Sequence, residues 1–383
     1  MYKKLFLVCS VAAIFGCGQS QKQETKETQN EDTPVTATVW DAAKAGEWYA
    51  KQDWLVGANY ITSSAINQLE MWQAETFDTA AIDRELSLAA GIGMNTMRVF
   101  LHDLLHQQDP QGFFQRMEQF LEIADKHHIR IMFVLFDSVW DPNPVAGKQR
   151  APKPHVHNSG WVQNPGIKAL QDSTQYPRLE KYVTETVKKF ASDKRVVCWD
   201  VWNEPDNLNQ SAYGAVELKN KADFVLPLIS KVFAWARSAA PEQPLTSGLW
   251  AGDWSEEATL KPIEKVMITE SDVISFHSYD DSTEIEKRII QLERYGKPLI
   301  CTEYMARPRK STFESIMPIL KKHKVGAYNW GFIEGKSQTN YPWDSWSKRY
   351  TAEPPLWFHD IFRKNGTPYL QKEVDFIKNI VKQ

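Results

Sequence analysis

Eight short, almost wholly apolar runs recur along this chain, each separated from the next by a segment with helical periodicity. They cover residues 55–59, 95–100, 130–136, 196–202, 245–249, 273–277, 299–302 and 327–330. The runs are continuous rather than alternating, as parallel strands buried on both faces require. The helices between them are readable. In residues 109–127, Asp109 can cap, Pro110 suits the first turn, and Phe113, Met117, Phe120, Leu121 and Ala124 form one stripe. Residues 179–190, 226–238, 285–295 and 311–323 behave likewise. The pattern predicts an α/β chain closed into a (β/α)8 TIM barrel, one domain over residues 40–383. An open doubly wound sheet is the alternative, but no Gly-rich phosphate loop follows the first strand.

Residues 1–16 read as an export signal: Lys3 and Lys4, then an apolar run over 5–15 that is too short to span a bilayer. The run ends in Ile14-Phe15-Gly16-Cys17, which resembles the lipobox of bacterial lipoproteins. The resemblance implies cleavage before Cys17, a lipid on that residue, and an exported protein held to a membrane; a plain secretory signal is the alternative. Residues 17–39, rich in Gln, Glu, Lys and Thr, cannot bury enough surface to order themselves and are expected to be a flexible tether. Cys198 and Cys301 fall inside predicted buried strands and behave there as small apolar residues, free to pair but not required to. No Cys/His cluster has zinc spacing, and no metal or cofactor is expected. A net charge of −3 argues against a nucleic-acid partner.

Two carboxylates stand where a barrel carries its chemistry, at the C-terminal ends of strands. Glu204, in Trp202-Asn203-Glu204-Pro205, closes the fourth strand, and the following Pro keeps it from entering a helix directly. Glu303, in Cys301-Thr302-Glu303-Tyr304, closes the seventh. These strands lie on opposite sides of a barrel, so both groups can point into one central cleft. Asn-Glu-Pro after the fourth strand with Glu after the seventh resembles the clan of (β/α)8 retaining glycosidases, and within it glycoside hydrolase family 5, the cellulase and mannanase family. The likeness extends as a pattern over residues 55–330.

The resemblance implies an acid/base role for Glu204 and a nucleophilic one for Glu303, acting on a β-linked oligo- or polysaccharide by double displacement. It implies that Arg98, in Gly93-Met94-Asn95-Thr96-Met97-Arg98, contacts Glu303, and that Asn203 bonds a sugar 2-hydroxyl. Tyr279, in His277-Ser278-Tyr279, would steady Glu303, and Trp330 would floor the subsite at the cleaved bond. Arg98 and Tyr279 are expected to lower the pKa of Glu303. Trp202 and Glu303 are expected to raise that of Glu204. The family usually places His at the end of the third strand, where this chain has Phe136-Asp137, so Asp137 becomes a candidate for hydroxyl recognition.

Fifteen Trp supply stacking faces for sugars as well as core. Tyr60, Trp140, Trp250, Trp254, Trp343 and Trp346 are expected near the rim. The stretch 137–173, with Trp140, His155, His157 and Trp161, is too long for an ordinary connection and reads as a cleft wall. His102 and Asp103 follow the second strand and are assigned no role. Asn203 expects an equatorial 2-hydroxyl, which suits mannans less well, but the family resemblance keeps both gluco- and manno-configured chains open. Endo and exo action also remain open at this level. So do a transglycosylase on the same two Glu and a surface-tethered glycan-binding protein.

Overall fold

The computed structural model describes residues 38–382. The signal, Cys17 and nearly all of the tether lie outside the described residues. Eight strands follow one another along the chain: β1 (Val56–Tyr60), β2 (Thr96–Phe100), β3 (Arg130–Val134), β4 (Val196–Asn203), β5 (Leu245–Gly248), β6 (Ile274–His277), β7 (Leu299–Tyr304) and β8 (Gly326–Asn329). All ladders are parallel, in the order β5-β4-β3-β2-β1-β8-β7-β6. The circle closes where Leu249 bridges Phe276: its N–H donates to Ser275 O at 3.0 Å and its carbonyl accepts from His277 N at 2.7 Å. The fold is a (β/α)8 barrel.

Side-chain alternation divides the barrel into layers. Inside and low, Leu55, Met132, Cys198, Ile300 and Tyr328 form an apolar plug, and Trp48 and Tyr49 of the Ala42–Ala50 helix pack against it. Two residues further along their strands stand Asp200 and, above Thr96, Arg98, both fully buried. Outward-facing residues such as Phe133 and Trp199 join the helical layer. The predicted stripe Phe113, Met117, Phe120, Leu121 and Ala124 is the buried face of Pro110–Lys126, and Asp109 accepts from Gly112 N at 2.9 Å as its cap. Cys198 belongs to the inner plug and Cys301 to the outer layer; both are buried and free.

The upper ends of the strands are less regular. Register shifts occur between Asp200 and Asn203 in β4/β5, between Phe276 and His277 in β6/β7, and between Cys301 and Tyr304 in β7/β8. Such irregularities re-aim side chains at barrel rims. β4 and β7 run one and two residues past their apolar stretches, to Asn203 and Tyr304. At the rim, polar side chains are buried against one another rather than against helices.

Candidate active site

The shifted strand ends surround a cavity of about 870 Å³. Glu204, Asn203, His277, Tyr279, Glu303, Trp330, Asp137, Trp140 and Trp250 all line it. Glu204 sits at φ +42°, a left-handed conformation rare for a residue with a side chain and concentrated at functional sites. It turns the chain out of β4 and swings the carboxylate toward β6. There Oε1 lies 2.7 Å from His277 Nδ1, and Oε2 accepts from Asn207 Nδ2 at 2.5 Å. His277 fits because residue 248 is glycine: a Cβ at Gly248 would come within 2.9 Å of His277 Nε2.

Glu303 faces the same space from β7. Its Oε1 accepts from Arg98 Nη1 at 2.9 Å, its Oε2 from the Tyr279 hydroxyl at 2.6 Å, and His277 Nδ1 stands 3.6 Å away. Ligand atoms of Glu204, His277 and Glu303 all lie within 4.8 Å of one another, the only such metal-capable trio among the described residues. In this arrangement the His277 Nδ1 that a cation would need is engaged by Glu204.

Burial pushes Glu204 up to about 7, helped by Asp206 and opposed mainly by the Asn207 bond, with Arg98 and Lys221 pulling more weakly the same way. Glu303 is also raised, first by burial and then by Glu204; His277, Arg98 and Tyr279 hold it down. The net upward direction for Glu303 departs from the sequence expectation, because burial outweighs the pull of Arg98 and Tyr279. Trp202 does not build the surroundings of Glu204 either. It is fully buried against Phe136, with its indole N–H on Ser138 Oγ at 2.8 Å. Burial lowers His277 to about 4, leaving a neutral ring beside two carboxyl groups.

Arg98, expected to contact Glu303 and doing so, and Asp137, the candidate for hydroxyl recognition, are both fully committed to the protein. Arg98 donates to Asp200 from Nε and Nη2, to Asn59 and Glu303 from Nη1, and to Asn203 from Nη2. Those five bonds exhaust a guanidinium. Arg98 holds Glu303 and Asn203 from behind and does not line the cavity. Asp137 accepts from Asn203 Nδ2 at 2.9 Å and Val139 N at 3.1 Å on one oxygen, and from Trp161 Nε1 at 2.7 Å and Gln68 Nε2 at 3.3 Å on the other. Four donors fill the acceptor positions of a carboxylate, so Asp137 aims its neighbours instead of reading a hydroxyl. Asn203, gripped from both sides, keeps one amide N–H for a ligand.

Among the rim aromatics, Trp330 stands edge-on to Phe100 and Trp161, and Trp140 stacks on Trp346 at 5.8 Å. Trp250 donates its indole N–H to Asp206 at 2.7 Å, and Trp343 meets the Tyr279 ring at 5.0 Å. Tyr60 and Trp254 are corrections. Tyr60 points outward into the helical layer and donates to Glu85, while Trp254 is fully buried against Phe276 beneath Arg288. His102 caps the next helix and Asp103 pairs with Arg178, both away from the cavity. Sequence reading missed Asp200, Asn59 and Asn207. Asp200 had a signal: a charge inside a buried strand requires a partner.

A barrel with two carboxylates facing across its C-terminal mouth defines a hydrolase of the glycosidase type. Residues 56–336 match the model of Cellulase (glycosyl hydrolase family 5). The chain belongs to that family. No curated protein matches it. Among solved structures it resembles an exo-β-1,4-mannosidase from Opitutaceae bacterium strain TAV5, with TM-score 0.57 and 17% identity over 91% of this chain and 61% of that one. This chain thus spans less than two thirds of that protein. It also resembles the endo-β-1,4-mannanase of Thermotoga petrophila (TM-score 0.56, 13% identity, 88% and 77% covered). A third likeness is the β-mannanase of the blue mussel Mytilus edulis (0.52, 16%, 80% and 95%).

Proposed function

We propose that the protein hydrolyses its β-glycan with retention of configuration, Glu303 attacking the anomeric carbon and Glu204 serving as acid and then base. The observation that carries this reading is the approach of their carboxylate oxygens to within 4.8 Å. Retaining pairs stand about 5–5.5 Å apart, and inverting pairs roughly 6.5–9.5 Å, because a water must fit between them. In the first step Glu303 forms the ester to C1 while Glu204, protonated up to about pH 7, gives its proton to the departing oxygen. The ester carries no charge, so the ionised Glu204 can then take a proton from water attacking the same carbon. Asn203 keeps its free N–H for the 2-hydroxyl, where a bond that tightens in the transition state raises the rate.

Gluco- and manno-configured β-chains are the proposed substrates. Mannose-containing chains come first, since proteins of similar fold are described as mannosidases and mannanases. The test is incubation with β-mannans, β-glucans and xylans and their oligosaccharides, with the anomer of the fresh product read by NMR. The expected outcome is a β-product from one panel member, with Glu303→Ala inactive and Glu204→Ala slowed about 10²–10⁴-fold. An α-product would sink the retaining assignment. Lengthened chains would make the protein a transglycosylase, and tight binding without cleavage a glycan-binding protein.

We also propose that residues 1–16 are removed on export and that Cys17 carries the lipid, with the barrel tethered at a membrane surface. Labelled palmitate incorporated by the wild type and lost in Cys17→Ser is the expected result.

A further inference from the structure

The roles proposed for Glu204 and Glu303 fix which way a bound chain must point. The acid protonates the oxygen leaving C1, so the departing part of the chain lies on the Glu204 side and the attacked sugar on the other. These two ends of the cavity are built differently. Past Glu204 it runs by Asp206, Asn207 and Trp250 to Gln210, Lys219 and Lys261, the last three exposed to solvent. Away from Glu204, the cavity meets Trp140, His157, Trp161 and Trp330, none more than 8% exposed, while Asp280, Arg309 and Trp343 of the loops after β6, β7 and β8 line it as half-buried or exposed residues. Behind Trp161 and Trp330 lies a void of about 20 Å³, room for a water but not for a sugar.

The wall is stitched from loops that follow β3 and β8, strands separated in the barrel by β2 and β1. Asn158 N donates to Ser337 O at 2.8 Å, His155 N to Gln338 Oε1 at 2.7 Å, and His157 N to Ser345 Oγ at 3.0 Å. Trp346 returns its indole N–H to His157 O at 2.8 Å and stacks on Trp140. Tyr213, from the loop after β4, packs edge-on against Trp346 at 5.1 Å and accepts from Arg150 at 2.8 Å. A polymer lying across the site would have to pass through this seam.

Both side-chain amide atoms of Asn158 and Nε2 of His157 are buried in this seam without a partner, and of the two residues only His157 lines the cavity. His157 Nδ1 lies 2.9 Å from Tyr341 O and must donate to it, so Nε2 carries the lone pair. That Nε2 is buried without a hydrogen-bond partner, in a ring that lines the cavity. Leaving such an acceptor unsatisfied is costly unless a ligand supplies the donor. We propose that the cavity is blind on its glycone side, so that the enzyme works from non-reducing ends and releases the terminal sugar, with His157 Nε2 accepting a hydroxyl of that sugar.

The test follows hydrolysis of reducing-end-labelled β-1,4-linked manno- and gluco-hexaoses by the full chain. The expected first labelled product is the pentaose, with monosaccharide released in step. Early labelled di- and trisaccharides would overturn end-directed action while leaving the retaining hydrolase intact. No cleavage of these or of any other β-glycan would instead overturn the hydrolase reading beneath it. His157→Ala is expected to raise KM at least about 10-fold, with both limbs of the pH profile unmoved and part of the loss recovered in His157→Gln. Unchanged KM in His157→Ala would remove His157 from sugar recognition. Opening the seam with Trp346→Ala, or with the milder Tyr213→Ala should the first fail to fold, is expected to add internal cleavage products. A folded seam variant that still yields only monosaccharide would show that the wall does not set the mode.

Discussion

Arg98 donates twice to Asp200, at 3.1 Å from Nε and 2.7 Å from Nη2, and both bonds end on the same carboxylate oxygen. The other Asp200 oxygen is buried with no partner. Asp200 thus takes much of the cation that the sequence assigns to Glu303, and burial wins over what remains. Asp200→Asn keeps the oxygen that accepts both bonds and places the amide NH₂ where the present oxygen has no hydrogen-bond partner. It is close to a pure change of charge. Freed of its competitor, Arg98 pulls harder on Glu303, whose pKa falls. The acid limb of kcat/KM, set by the nucleophile, should move to lower pH by on the order of one unit. A pH–rate profile of the variant reads this directly.

The Tyr279 hydroxyl acts on the same carboxylate from the other side, donating to Oε2 of Glu303 at 2.6 Å. Its ring is held by Trp343 and His359, so Tyr279→Phe removes the bond and keeps the packing. Loss of a donor to the charged form raises the Glu303 pKa. The acid limb should then move to higher pH, opposite to Asp200→Asn, with kcat down roughly 10-fold. Limbs moving the same way in both variants would mean that another group sets the acid side.

Glu204 bears a cost that depends on pH. Its carboxyl is raised from 4.5 to about 7 in the fold. A raised pKa means that the folded state holds the proton more tightly, so the contribution to stability is complete below pH 4.5 and is lost as pH rises through about 7. The shift corresponds to roughly 3 kcal/mol. Glu204→Gln keeps the shape without the ionisation. Its Tm should exceed that of wild type at pH 8, and the difference should shrink toward pH 5. Thermal melts at the two pH values suffice. Activity should drop about 10²–10⁴-fold for want of the acid.

The strands were legible because parallel barrel strands are apolar on both faces, and Glu204 because its neighbours are distinctive. Glu303 was legible only through its place at the end of a strand. What sequence misjudged was direction. Tyr60 follows Asn59 by one residue, and a period of two sends one inward and the other outward. Trp254 lies near the end of β5 in sequence, yet its loop folds back onto Phe276. His157 was legible as part of a cleft wall, but its fixing by Tyr341 and Ser345, more than 180 residues away, was not. Asp137 was noticed for departing from the family pattern, but only the contacts reveal that its oxygens are all taken.

That saturation makes Asp137 a positioning residue with its own signature. Every partner is an N–H donor, so the ring of Trp161 and the amide of Asn203 are aimed by one carboxylate. In Asp137→Asn one of the two positions becomes an NH₂ group facing donors, and either the Asn203 side or the Trp161 side must break away. Breakage at Asn203 loosens the group proposed to hold the 2-hydroxyl, and breakage at Trp161 loosens the wall. Each buried bond lost costs about 1–3 kcal/mol, so kcat/KM should fall roughly 10–100-fold and the Tm with it. Asp137 hydrogen-bonds neither Glu204 nor Glu303, but the charge of Glu204 raises it and the repulsion is mutual, so Asp137→Asn should move the basic limb, set by Glu204, to lower pH and leave the acid limb in place. A basic limb unmoved in a well-folded Asp137→Asn would mean that Asp137, itself raised to about 7 by burial, is already neutral where Glu204 titrates.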